Sequence, residues 1–207
     1  MSQRAYRSDE DATTSIAPPR TDEERRVIAA LRAGDSVVFE WLFSSHYDAL
    51  CAFVYSYVRS RETTEDLVQD LFASIWENRD RWLPGGTIRQ YLFTAARNRA
   101  LTYLRHEVVV RRFEDVAARD PVLLSDGRMT ERADDLAHFD ELTTAFEDAV
   151  RALPAKRRRV LLLRWEAQLT HAEIAHVLGI SVKGVETQIG RAMRFIRERL
   201  ASFRPRG

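Results

Sequence analysis

Between Thr170 and Leu200 the chain reads THAEIAHVLGISVKGVETQIGRAMRFIRERL, a helix, a glycine-centred turn and a second helix. Thr170 offers a side-chain oxygen to the open amides of a new helix, and Glu173 three residues on can reach back, which is a capping box. Ile174, Ala175 and Leu178 place apolar groups on one face, and Gly179 supplies the permissive backbone needed to leave the helix. Ser181 caps the second helix. There Val185, Ile189, Ala192, Met193, Ile196 and Leu200 recur at spacings of three and four and form one buried stripe. The opposite face carries Lys183, Thr187, Gly190, Arg191 and Arg194. Gly184 and Gly190 each cost about 1 kcal/mol relative to alanine inside a helix, and a small residue on an outward face is best explained by another molecule approaching closely. A second helix presented this way is a recognition helix for the major groove. An ordinary amphipathic hairpin is the competing reading, and the matched caps, turn and polar face weigh against it.

At 207 residues, 45% of them hydrophobic and 30% charged, the chain has room for one large or two small domains, and two fits better. No apolar run approaches the roughly 20 residues of a membrane span, and the N-terminal MSQRAYRSDEDATTS lacks the apolar core of a signal peptide. A cytoplasmic protein without membrane insertion is expected. The single cysteine, Cys51, lies in an aromatic stretch and reads as a buried thiol.

The net charge is only +1, but its distribution is uneven: −1 over residues 1–22, −1 over 23–107, −3 over 108–140 and +6 over 141–207. Non-specific affinity for phosphates grows with the number of cations that displace counterions. A nearly neutral whole with one basic end should hold DNA weakly alone, which points to a larger partner.

The pattern predicts an all-α fold of two small helical domains joined by a flexible linker. Residues 1–22 are polar and aperiodic and read as a disordered tail. The first domain, 23–107, opens with a helical pattern from Glu23. A long core helix carries Phe39, Leu42, Phe43, Tyr47, Leu50, Phe53, Val54, Tyr57 and Val58. A second helix from near Thr63 buries Leu67, Leu71, Phe72, Ile75 and Trp76. A third, TIRQYLFTAARNRALTYLRHE, is opened by a Thr87–Gln90 capping box. Residues 108–138 are acidic and patchily apolar and read as linker, with a short strand or helical turn at Val108–Val110. In the second domain, 139–203, a helix resumes near Leu136 and runs to Leu153. Another begins at Ala155, whose VLLLRW is apolar almost all round and so buried; the helix-turn-helix completes four helices.

The first domain has two faces that could carry function. Asp66, Gln69, Asp70 and Glu77 surround an apolar stripe and could dock a basic partner helix, or be a solvated charged face. Arg89, Arg97, Arg99 and Arg105 are interleaved with Tyr91, Phe93, Asn98 and Tyr103. Cations that track a backbone beside aromatic rings that stack on bases suit unpaired nucleic acid, although aromatics in a core with arginines in water give the same composition.

The order DLVQDLF-x-x-IW, YLFTAARNRALTYLR, acidic linker, ALPAKRRRVLLLRWE and helix-turn-helix resembles the bacterial sigma-70 family, and within it the two-domain extracytoplasmic-function sigma factors. The resemblance covers roughly residues 25–105 and 140–202. It implies that Asp66, Gln69, Asp70 and Phe72 grip a coiled coil of the RNA polymerase β′ subunit. Arg89, Tyr91, Arg97, Asn98 and Arg99 would melt and capture the −10 element. Thr170, His171, Ser181, Lys183, Thr187, Gln188, Arg191 and Arg194 would read the −35 element, in a domain that also touches the β flap. An anti-sigma factor is the further partner it implies. Thr102 and Tyr91 stand where aspartate and tryptophan are common, and Gly184 and Glu186 where threonine and a basic or polar residue are common.

His171 and His176 are five apart and do not share a helix face as two metal ligands would, and Gly85-Gly86 lacks the rest of a phosphate loop. No metal, cofactor or catalytic constellation is expected. The chain therefore reads as an initiation subunit, monomeric when free, that directs core polymerase to promoters and opens DNA without catalysis. The alternatives are a dimeric helix-turn-helix regulator binding an operator without polymerase, and a nucleic-acid enzyme, for which no nucleophile or metal cluster is visible.

Overall fold

The computed structural model describes residues 21–114 and 137–203, with side chains over 21–108 and 144–201. Helices α1 (Asp22–Arg32), α2 (Ser36–Val58), α3 (Arg61–Glu77) and α4 (Ile88–Glu114) form a first unit. Helices α5 (Ala137–Arg151), α6 (Ala155–Leu161), α7 (His171–Leu178) and α8 (Val182–Arg199) form a second. Among the described residues there is no strand, so the all-α expectation holds.

Local chemistry sets most of the boundaries. Thr21 and Glu24 make a reciprocal capping box at α1, Asp35 accepts from Val37 and Val38 at α2, and Ser60 accepts from Thr63 at α3. Each satisfies amides that the first helical turn leaves open. Helix α2 ends where Arg59 turns left-handed. Val108–Val110 are helical, a continuation of α4, so the strand reading fails there. The rest of the sequence-derived linker, 115–136, and the tail at 1–20 lie outside the described residues.

The Thr87–Gln90 box is only half made. The Gln90 amide donates to Thr87 Oγ1 at 3.2 Å, but the Gln90 side chain is buried and its Oε1 has no partner among the described residues. The next amide along, that of Ile88, is satisfied from α1, where Glu24 Oε1 accepts from it at 3.0 Å. Thr87 is left to donate its hydroxyl to Glu173 of α7. A pairing 86 residues apart is invisible to a four-residue motif.

Phe53, Phe72 and Phe93 are fully buried in the first unit, with the Phe53 and Phe93 rings edge-on at 5.4 Å. Cys51 is half-buried rather than enclosed, and burial pushes its thiol pKa up. After α6 the chain makes a π-helical turn, Leu162–Glu166, closed by the Ala167 amide on the Leu162 carbonyl at 3.1 Å. The widened turn rotates its side chains. Val160, Leu161 and Leu163 are buried, whereas Trp165 is 50% exposed, against the expectation that VLLLRW is enclosed all round.

The apolar core runs without a break from α2, α3 and α4 into Val160, Leu163, Leu169, Ile174, Val177 and Val185 of the second unit. Among the described residues, Ala149, Leu153, Leu161, Ala192 and Ile196 form a separate cluster, under α5 and α8. A fully buried aliphatic side chain contributes about 1.5–3 kcal/mol and a net hydrogen bond about 1 kcal/mol. Apolar burial therefore holds the two units together, and the polar contacts across the joint fix their register.

Candidate nucleic-acid interface

Helix α8 is built to show one face. Ser181 Oγ accepts from the Gly184 amide at 3.0 Å and starts it, while Val185, Ala192 and Ile196 turn inward. Lys183, Thr187, Gly190, Arg191 and Arg194 lie on the exposed side, at the helical spacing expected. Lys183 is paired loosely with Glu186 at 3.8 Å, and the Thr187 hydroxyl donates to the Lys183 carbonyl at 2.8 Å. Gln188 is half-buried, and Met193, expected inside, is 38% exposed.

The two glycines have different reasons. A Cβ at Gly184 would come within 3.3 Å of the Ser181 hydroxyl, so glycine there keeps room for the cap rather than for an outside molecule. Gly190 is exposed with nothing within 4 Å of such a Cβ, and remains open to close approach. The capping box at α7 is present in full, with the Thr170 amide and hydroxyl both donating to Glu173 Oε2 at 2.8 Å. Thr170 and half-buried His171 thus stand at the start of α7, apart from the α8 stripe.

Gly179 leaves α7 at φ +64, where an added Cβ would meet the Arg97 guanidinium only at an ordinary 3.7 Å. Gly179→Ala is therefore expected to destabilise by about 1–2 kcal/mol, from backbone strain alone. Urea denaturation measures this, and a loss near zero would refute the strain.

On α3, Asp66, Gln69 and Asp70 are exposed together. Phe72 is not with them. It is 1% exposed, with its ring 6.2 Å from Phe39 and 4.8 Å from Phe43, so it offers no surface to a partner and serves to seat α3 on α2. The Asp70 carbonyl accepts from Arg99 at 3.5 Å, which ties α4 to the back of the acidic face.

The five α4 residues singled out in sequence do not form one patch. Asn98 is exposed, Arg99 leans to α3, and Tyr91 is half-buried with its ring edge-on to Trp82 at 5.6 Å. Arg97 lies against Gly179 of the helix-turn-helix. Arg89 is exposed and lines a cleft of about 520 Å³ together with Trp41, His46, Glu166 and Glu173.

His46 Nδ1 lies 3.0 Å from the Leu42 carbonyl. Burial, with a smaller contribution from the Arg89 charge, holds its pKa below the ordinary 6.5. A depressed histidine favours folding while neutral, so its contribution is whole above about pH 6.5 and is lost as pH falls from there through the folded pKa. His46→Gln should flatten the drop in denaturation midpoint between roughly pH 7.5 and pH 5.5; an unchanged slope would show that His46 does not carry it.

Sequence reading missed the residues at the joint. Arg159 on α6 donates to Ser56 Oγ at 3.0 Å and to the Ser56 carbonyl at 2.7 Å, with its guanidinium carbon 3.5 Å from the centre of the Tyr57 ring. Burial raises the Tyr57 pKa, and Arg159 and Arg97 beside it pull it back. The one available signal was Ser56, a polar residue inside an otherwise apolar stretch of α2.

Among the described residues no three His, Cys, Asp or Glu side chains gather closely enough to hold a metal, and no helix is long and apolar enough to cross a membrane. The profile of sigma-70 region 2 matches residues 42–108, and that of sigma-70 region 4 matches residues 143–196. The chain is 28% identical to the RNA polymerase sigma factor CarQ of Myxococcus xanthus, over 83% of this chain and 94% of CarQ. It is 23% identical to the ECF RNA polymerase sigma factor SigW of Bacillus subtilis (strain 168), over 85% of this chain and 96% of SigW. Among solved structures it is similar to CnrH in complex with the cytosolic domain of CnrY, with TM-score 0.54 and 25% identity over 87% of this chain and 99% of that one.

Proposed function

The chain belongs to the sigma-70 family, in its extracytoplasmic-function group, and on that premise we propose how its residues divide the work of a sigma factor. Residues 23–107 dock on the RNA polymerase core and open the −10 element, residues 139–203 read the −35 element, and 108–138 join them. Asp66, Gln69 and Asp70 present acceptors to a basic coiled-coil surface of β′. Helix α8 enters the major groove with Lys183, Thr187, Arg191 and Arg194 facing the DNA, while Gly190 lets the backbone come close. Thr170, His171, Ser181 and Gln188 flank this face and position it on phosphates. The β flap is the contact of the second unit with core.

On α4, Arg89, Arg97 and Arg99 track the backbone of the opened strand, and Tyr91 and Asn98 meet its bases. Unstacking a base costs only a few kcal/mol when a pocket receives it, so opening needs capture and no bond chemistry. The chain is thus an initiation factor rather than an enzyme, and it works in the cytoplasm where polymerase is. CnrH was solved with the cytosolic domain of CnrY, and an anti-sigma factor of comparable kind is the proposed inhibitor here.

The observation that carries the reading is the α8 stripe, exposed and basic on the side opposite buried Val185, Ala192 and Ile196. Gel filtration with DNA binding, with and without core polymerase, tests it. A monomer that grips promoter DNA tightly only with core is expected. A stable dimer that grips a palindromic site alone would contradict it.

A further inference from the structure

We propose that Arg59, Arg97, Arg158 and Arg159 form a binding site for a small phosphoanion, a diphosphate group, at the carboxyl end of α2.

Three helices bring the cations together. Arg159 of α6 lies over the Tyr57 ring at 3.5 Å and donates to the Ser56 hydroxyl and carbonyl at 3.0 and 2.7 Å. Arg97 of α4 also hydrogen-bonds the Tyr57 side chain, and its guanidinium stands 3.7 Å from where a Cβ on Gly179 would be. Arg59 follows two residues after Tyr57, and with Arg158 and Arg97 it acts on Arg159 as a like charge. It closes α2 at φ 59, a left-handed position where glycine is the default. A cation kept there against backbone preference is a sign that its charge is used. Arg59, Arg158 and Arg159 belong to neither the DNA-facing nor the polymerase-facing sets.

The protein does not balance these charges. Among the described residues, none of Arg59, Arg97 and Arg159 is paired with a carboxylate. The carboxyl ends of α2 and α7 offer about half a negative charge each, against four guanidiniums. Ser56 and Tyr57 add only neutral oxygens. Burial disfavours the charge on Arg159, and the neighbouring arginines disfavour it further. An anion entering here relieves that repulsion and is attracted by all four cations.

The donors set the ligand class. Guanidinium forks pair with phosphate oxygens two at a time, and a diphosphate presents more oxygens and more charge than a single phosphate or a carboxylate, which suits four forks. The apolar core that runs from α2 into α6 fixes the site before any ligand arrives, so binding costs little ordering of the chain.

The test is isothermal titration calorimetry of the full chain with inorganic pyrophosphate at low ionic strength, with orthophosphate beside it. One saturable site is expected for pyrophosphate, and orthophosphate should bind at least about tenfold more weakly. Arg59→Gly removes a cation while giving the left-handed position its preferred residue. Its urea midpoint should therefore not fall, yet pyrophosphate affinity should drop about tenfold. Arg59→Gly with Arg158→Gln should lower it about 100-fold. Arg26→Gln with Arg197→Gln removes the same charge from exposed sites elsewhere and should leave affinity within about twofold of the parent. GDP in a further titration separates the sources of the group: binding weaker than that of pyrophosphate assigns the free anion, and tighter binding assigns a nucleotide. Absence of saturable pyrophosphate binding by the parent would overturn the site. So would orthophosphate binding as tight as pyrophosphate, or an equal loss in the two double variants. Polymerase and DNA are absent throughout, so failure here and failure of the sigma-factor reading are separate results.

Discussion

Asp66→Lys combined with Asp70→Lys is expected to weaken binding to RNA polymerase core at least about 100-fold, because two attractive contacts become two repulsive ones at an interface. Both carboxylates are exposed on one face of α3, and neither is in an ion pair among the described residues. Their removal should leave folding nearly untouched, since surface substitutions of this kind stay within about 0.5 kcal/mol. The measurement is fluorescence anisotropy of labelled protein titrated with core, beside a urea denaturation of each variant. Phe72→Ala is a poor substitute: a buried phenylalanine costs about 3–5 kcal/mol, and loss of binding would then report loss of fold. Core affinity within about threefold of the parent, with both lysines in place, would remove α3 from the polymerase interface.

The second large effect is expected at α8. Arg191→Ala with Arg194→Ala deletes two exposed cations from the face that Gly190 leaves open. If both meet phosphates, the slope of log affinity against log salt falls by about 2, since each contact releases close to one counterion. Affinity of the polymerase complex for promoter duplex should drop about 100-fold at moderate salt, while an A/T-rich single strand is bound as before. The reading fails if the salt slope is unchanged. Lys183 is the milder position, because Glu186 at 3.8 Å already offsets part of its charge.

What could be read from sequence was local. Thr170, Glu173, Gly179 and Ser181 lie within twelve residues, and their side chains and backbone do what the pattern requires: cap, leave left-handed, cap again. The long apolar repeats of α2, α3 and α8 likewise announce helices, since a stripe at spacings of three and four has no other use. Periodicity tells which face is apolar but not what covers it. Periodicity placed Phe72 in the buried stripe of α3, where it fills the core between Phe39 and Phe43, and it was the family resemblance alone that also assigned it to a docking face. Trp165 shows the converse, because a π turn rotated it outward from a segment whose composition alone argued burial.

The joint was illegible for a different reason. Glu24 to Ile88, Thr87 to Glu173 and Arg159 to Ser56 pair residues 64, 86 and 103 apart. None of these carries a local signature, and Thr87 and Glu173 each looked complete within a capping motif of their own. The expectation of two helical units was right in fold class. That the apolar core passes from one into the other, and brings Arg97 against Gly179, depends on packing that no single segment encodes.

The most direct test of the sigma-factor assignment is transcription in vitro with purified core polymerase and a library of upstream DNA fragments from the source genome. The sigma reading predicts discrete transcripts from a subset of fragments, each preceded by a shared pair of elements, and none when Asp66 and Asp70 are both lysine. Absence of promoter-specific transcripts with a folded, monomeric protein, or the same transcripts from the lysine variant, would contradict it.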